Sequence, residues 1–152
     1  VTRRRCGVLC WRRTFTGTPE QVSAARRFTR FLLADSSAAD DAAWVVGELA
    51  TNAIKYSRSG AEGGVFTVEV LQWRHRVQIQ LIDAGGDGEP ILPTIDPATA
   101  VPERREPPEG RLGLYGVGAL ACLLGAHQHP DGTRVVWARL ETGPASVTGA
   151  GR

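Results

Sequence analysis

Two strand-like stretches, Val65 to Trp73 and Arg76 to Asp83, are separated only by Arg74 and His75. The second alternates as Val77-Gln-Ile-Gln-Leu81, so one of its faces is apolar and the other polar. So short a turn makes the two strands neighbours in a sheet, and their apolar face needs a cover. Two amphipathic helices upstream can supply it. The first starts at Thr18-Pro-Glu-Gln21, where Thr18 can cap, Pro19 suits the first helical position and Gln21 closes a capping box. It runs to Leu33, with Val22, Ala25, Phe28, Phe31 and Leu32 on one face. The second runs from about Asp40 to Ser57, with Ala42, Val45, Val46, Leu49, Ala50, Ala53 and Ile54 as its apolar arc.

The remaining elements complete a single domain. A strand is expected at Leu9 to Phe15, and a helix opens near Gly110 and reaches about Leu124. A last hairpin pairs Ala126 to His129 with Arg134 to Leu140 around the turn Pro130-Asp-Gly-Thr133. The fold class expected is α/β of the α+β two-layer kind: a mixed, largely antiparallel sheet covered on one face by helices. Residues 1–8 form a basic arm expected to be solvated, 9–141 the domain, and 142–152 a frayed tail. Ala84 to Leu112 differs in character, holding six of the nine prolines. So long a segment without periodicity inside a small domain reads as functional or disordered.

Composition narrows the partners. Hydrophobic residues make up 42% and the formal charge is only +2, so neither disorder nor a nucleic-acid partner is demanded. No apolar run reaches the roughly 20 residues of a membrane helix, and no apolar core follows the N-terminal charges. Cys6, Cys10 and Cys122 have no framework or zinc spacing and read as reduced thiols. Lys55 is the only lysine, a bias expected of a GC-rich bacterial genome. A cytoplasmic protein is expected.

Three groups of residues could carry chemistry together. Glu48 and Asn52 lie four residues apart, one above the other at the edge of the apolar arc, where a polar pair can line a cleft. Asn52 offers an amide oxygen suited to Mg2+ beside phosphates, and Glu48 could orient or deprotonate a nucleophile. Lys55 could reach a phosphate. Asp83 ends a strand before Gly85, so its carboxylate could accept from an adenine amino group while glycine lets the backbone approach a flat ring. Gly113, Gly116 and Gly118, with Val117 among them, stand at a loop-to-helix junction that could take an anion. Close helix packing explains the same glycines equally well. Thr133 could add a hydroxyl to the base pocket. The sequence has no G-x-x-x-x-G-K-[ST], and the order Gly113-x-x-Gly116-x-Gly118 is not G-x-G-x-x-G.

Taken in order, the stretch Glu48-Leu-Ala-Thr-Asn52, the loop Asp83-Ala-Gly85, the run Gly113-Leu-Tyr-Gly-Val-Gly118 and the pair Gly132-Thr133 resemble the Bergerat-type (GHKL) ATP-binding domain. DNA gyrase, heat-shock chaperones, histidine kinases and mismatch-repair ATPases share that domain. The resemblance spans about Trp11 to Leu140. It departs from the pattern at Asp87, where D-x-G-x-G has its second glycine. A lone domain of this length is most similar to the bacterial anti-sigma factors that are serine kinases. That resemblance implies ATP and Mg2+ as cofactors, with Asn52 holding the metal, Glu48 assisting the attacking serine, and Asp83 with Thr133 at adenine. Gly113, Gly116 and Gly118 would reach the phosphates, with Ala84 to Leu112 as a lid ordering over them. The implied partners are a sigma factor and an anti-sigma antagonist, the implied state is a homodimer, and neither membrane nor direct nucleic-acid contact is expected. The alternative is a catalytically silent ATP-binding module that acts by protein binding alone.

Overall fold

The computed structural model describes residues 3–5, 7–86 and 112–143. In chain order the elements are β1 (Arg3–Arg5), β2 (Val8–Thr16), α1 (Pro19–Leu32), α2 (Ala39–Tyr56), a short 3-10 turn (Arg58–Gly60), β3 (Val65–Trp73), β4 (Arg76–Asp83), α3 (Leu112–Leu120), β5 (Leu123–Gln128) and β6 (Arg134–Glu141). The strands form one sheet in the order β1-β2-β3-β4-β6-β5. Every pairing among the described residues is antiparallel. The expected two-layer fold is therefore present, with no parallel pair in its described part.

Residues opposite one another on adjacent strands share a face. Trp11, Val70, Ile79 and Ala138 make one such row, and Val68, Leu81 and Val136 the next. Both rows join Val45, Val46, Leu49 and Ala53 of α2 in a single buried cluster. A fully buried Val or Leu contributes about 1.5–3 kcal/mol, so this one layer is the main reason the sheet and α2 stay together. Phe15 ties α1 to the same core. It stacks on Phe66 at 5.5 Å and meets Phe28 edge-on at 5.9 Å. Where α1 passes α2, the Arg26 stem lies over Gly47, and a Cβ there would sit 3.0 Å from Arg26 Cδ. On the opposite sheet face Arg139 forks onto Gln78 at 3.1 and 2.8 Å, close to Trp73 and Trp137.

Four expectations need correction. Thr18 occupies the N-cap of α1 but makes no side-chain cap bond, so the capping box with Gln21 does not form. The Glu20 carboxyl competes for that hydroxyl. It is held below its ordinary range by a backbone N–H first and by Thr18 second. The helix expected to reach Leu124 stops at Leu120, because Cys122 N–H donates to Arg139 C=O and starts β5. Part of the arm expected to be solvated is a strand, since Arg3–Arg5 pairs with Val8–Cys10 at the sheet edge. Thr142, expected to begin the frayed tail, donates its N–H to His75 C=O at 2.9 Å. The lid beyond Gly86 and before Leu112, with Asp87, lies outside the described residues, as does the tail from position 144.

Candidate functional site

Along α2, Trp44, Glu48 and Asn52 recur every four residues and so form one stripe. Its first two members, Trp44 and Glu48, face α3. A Cβ built on Gly116 would run into the Trp44 ring, and one on Gly113 would run into the Glu48 carboxylate. Successive turns of α2 thus meet successive turns of α3 in reverse order, and glycine is what lets the two helices come so close. Gly118 and Val117 are buried behind them, and Val117 C=O accepts from Ala121 N–H at 2.8 Å. The packing reading of these glycines therefore accounts for Gly113 and Gly116. The Glu48 carboxylate lies at the first turn of α3, where the helix dipole favours negative charge, so it stands where the anion reading would put a phosphate.

Asn52 comes one turn after Glu48 on the stripe. Its Nδ2 is buried and has no hydrogen-bond partner among the described residues. Leaving a buried amide donor unpaired costs about 1–3 kcal/mol, so a polar ligand arriving here is favoured. An amide carries a donor and an acceptor together. It can ligate a hard cation through Oδ1 while Nδ2 donates to a phosphate oxygen, so the residue fits a magnesium-bound nucleotide.

The second group of expected site residues stands at the end of β4. Asp83 is only 3% exposed, in the same register as Leu81 and Ile79, and so lies on the helix-covered side. Its Oδ1 accepts from Gly85 N–H at 2.7 Å. Gly85 has φ +70, and a Cβ there would collide with the Gly132 carbonyl, so only glycine lets the chain turn here against the β5–β6 hairpin. The segment after α2 clamps this loop. Ala84 N–H donates to Ser59 Oγ at 2.9 Å, Arg58 Nη2 donates to Ala84 C=O at 2.7 Å, and Arg58 N–H donates to Gly85 C=O at 2.8 Å.

Two residues absent from the sequence expectations hold this loop and its aspartate in place. One is Arg58. The other is Arg134, whose Nε and Nη2 donate to Asp83 Oδ2 at 3.1 and 3.0 Å. Arg134 is 7% exposed. The sequence carried a signal for it: Arg134 stands in the apolar register of β6 with Val136, Ala138 and Leu140, and a charge there needs a buried partner. Thr133, expected in the base pocket, donates its hydroxyl to Asp131 Oδ1 at 2.6 Å. That hydroxyl, and then the Thr133 N–H, hold the Asp131 carboxyl below its ordinary range. Lys55 is exposed and does not join the Glu48–Asn52 stripe. With Thr51 and Ile54 it lines a groove of about 290 Å³ against Pro19, Val22 and Ser23 of α1.

Among the described residues, an antiparallel sheet under helices carries a buried asparagine amide without a partner on α2 and a buried aspartate at the end of β4, residue types that suit a nucleotide site. The chain belongs to the histidine kinase-like ATPase domain family, whose sequence model matches residues 15–139. It is thus an ATP-binding domain. None of the curated proteins matches it. No helix among the described residues is long and apolar enough to cross a membrane.

Proposed function

We propose that this chain is a cytoplasmic anti-sigma factor that uses ATP to phosphorylate a serine on an antagonist protein. The observation that carries the reading is the Glu48–Asn52 stripe. A carboxylate at the start of α3 stands one turn from a buried amide whose donor is unsatisfied among the described residues. In the transfer, the serine oxygen attacks the γ-phosphorus, the bond from that phosphorus to the ADP oxygen breaks, and the serine proton passes to the Glu48 carboxylate. Asn52 would hold Mg2+, which supplies charge neutralisation at the phosphates when bound. The start of α3 at Gly113 would donate backbone N–H groups to a phosphate. Asp83, with Thr133 nearby, would take the adenine end. The partners proposed are a sigma factor and the antagonist, bound by a homodimer.

A second reading, a module that binds ATP and transfers nothing, is favoured by one contact. The Glu48 carboxylate lies against Gly113, which occupies it at the helix start. Incubation with γ-labelled ATP and a candidate antagonist separates the two. The kinase predicts labelled phosphoserine that is lost in Glu48→Gln while ATP still binds. Label that is never transferred, or is transferred equally by Glu48→Gln, contradicts the assigned role.

A further inference from the structure

Asp83 and Arg134 are paired across β4 and β6 and both lie on the side of the sheet that the helices cover. Their side chains are 2% and 9% exposed, at the rim of an apolar layer that holds Leu81 and Val136. A guanidinium withdrawn this far from water is tolerated only with a partner of matching geometry. The planar fork of arginine provides that match, and a lysine point charge would not. Nε and Nη2 converge on one oxygen, Oδ2, which neutralises the carboxylate and anchors that end of it. The other oxygen, Oδ1, receives Gly85 N–H.

A carboxylate has about four acceptor positions. Three donors fill three of them: two from Arg134 at Oδ2 and one from Gly85 at Oδ1. The position that remains is on Oδ1, beside the Gly85 turn. We infer that Arg134 is a positioning residue for base recognition, clamping Asp83 so that Oδ1 is the atom that accepts from the exocyclic amino group of adenine. The inference rests on the reading that Asp83 faces the base. A purine with oxygen in place of the amino group would set two acceptors against each other, and a purine with neither group would leave Oδ1 unfilled. Rejection of both analogues depends on a carboxylate that cannot turn away, and so on Arg134.

The test compares affinities of the native chain and of Arg134→Gln and Arg134→Lys for ATP, inosine triphosphate and purine riboside triphosphate, all with magnesium. The native chain is expected to prefer ATP over both analogues by about tenfold or more, the worth of one hydrogen bond to a charged group. In Arg134→Gln that preference falls towards one, because the carboxylate is no longer held. In Arg134→Lys it falls at least about threefold, since charge returns without the fork. A purely structural arginine would weaken all nucleotides alike and leave the ratios intact. Unchanged ratios in either folded variant overturn the inference, and if Arg134→Gln does not fold, the lysine variant decides. A native chain that binds ATP yet ignores the amino group would instead overturn the placement of adenine at Asp83.

Discussion

The Glu48 carboxylate occupies the space that a Cβ at Gly113 would need. A proposed catalytic group and a helix start are thereby in direct contact. Substituting either one alters the other.

Gly113→Ala should therefore cost no more than about 1 kcal/mol, because the group in the way is the movable end of the Glu48 side chain and alanine is the better helix former. In a Glu48→Ala background most of that cost should vanish, because the obstructing carboxylate has gone. Urea unfolding of the two single variants and the double variant measures the coupling. Additive effects would mean that the two residues do not touch.

The same logic applies one turn earlier. Gly116→Ala drives a methyl into the Trp44 ring and should cost about 1–3 kcal/mol. Trp44→Leu in the same chain should recover part of it, as read from thermal unfolding. A Gly116→Ala chain as stable as the native one would contradict the close approach of α3 to α2.

Removing Arg134 leaves a buried carboxylate without its counter-ion. Arg134→Ala should cost about 3–5 kcal/mol in urea unfolding. The double variant Asp83→Asn with Arg134→Gln should be the more stable of the two, since neither buried charge remains. Equal losses would show that packing, not charge, sets the cost.

Ser59 is fully buried and its Oγ accepts from Ala84 N–H, which holds the loop after Asp83. Ser59→Ala should cost about 1–3 kcal/mol by leaving that donor unpaired. It should also speed hydrogen exchange at Ala84 and Gly85 selectively. Exchange unchanged at those amides would remove Ser59 from the account of the loop.

The hairpin from Val65 to Asp83 was legible in the sequence because a strict period of two and a two-residue turn leave little choice. Helix α2 was legible because its apolar arc repeats over four turns. The junction after α3 was not. Leu120 to Leu124 is an apolar run that suits helix or strand alike, and pairing with Arg139 on β6 decides it. Glu48, Asn52 and Asp83 could be picked out because each is a polar residue at the boundary of an apolar pattern. Arg134 obeys the same rule but was hidden, since its partner is 51 residues away and only strand register brings them together. Thr133 shows the converse difficulty. Its place beside Gly132 is visible in the sequence, whereas the competition of Asp131 for its hydroxyl depends on the turn geometry.

The proposed bound state is a magnesium-bound ATP between the Asn52 stripe of α2 and the Asp83 end of β4. Titration calorimetry of the chain with ATP tests it directly. Binding should need magnesium and be weakened at least about tenfold by Asn52→Ala and by Asp83→Asn, each of which removes a contact to a charged or metal-bound group. No heat of binding from the folded native chain, or binding untouched by both substitutions, would contradict it.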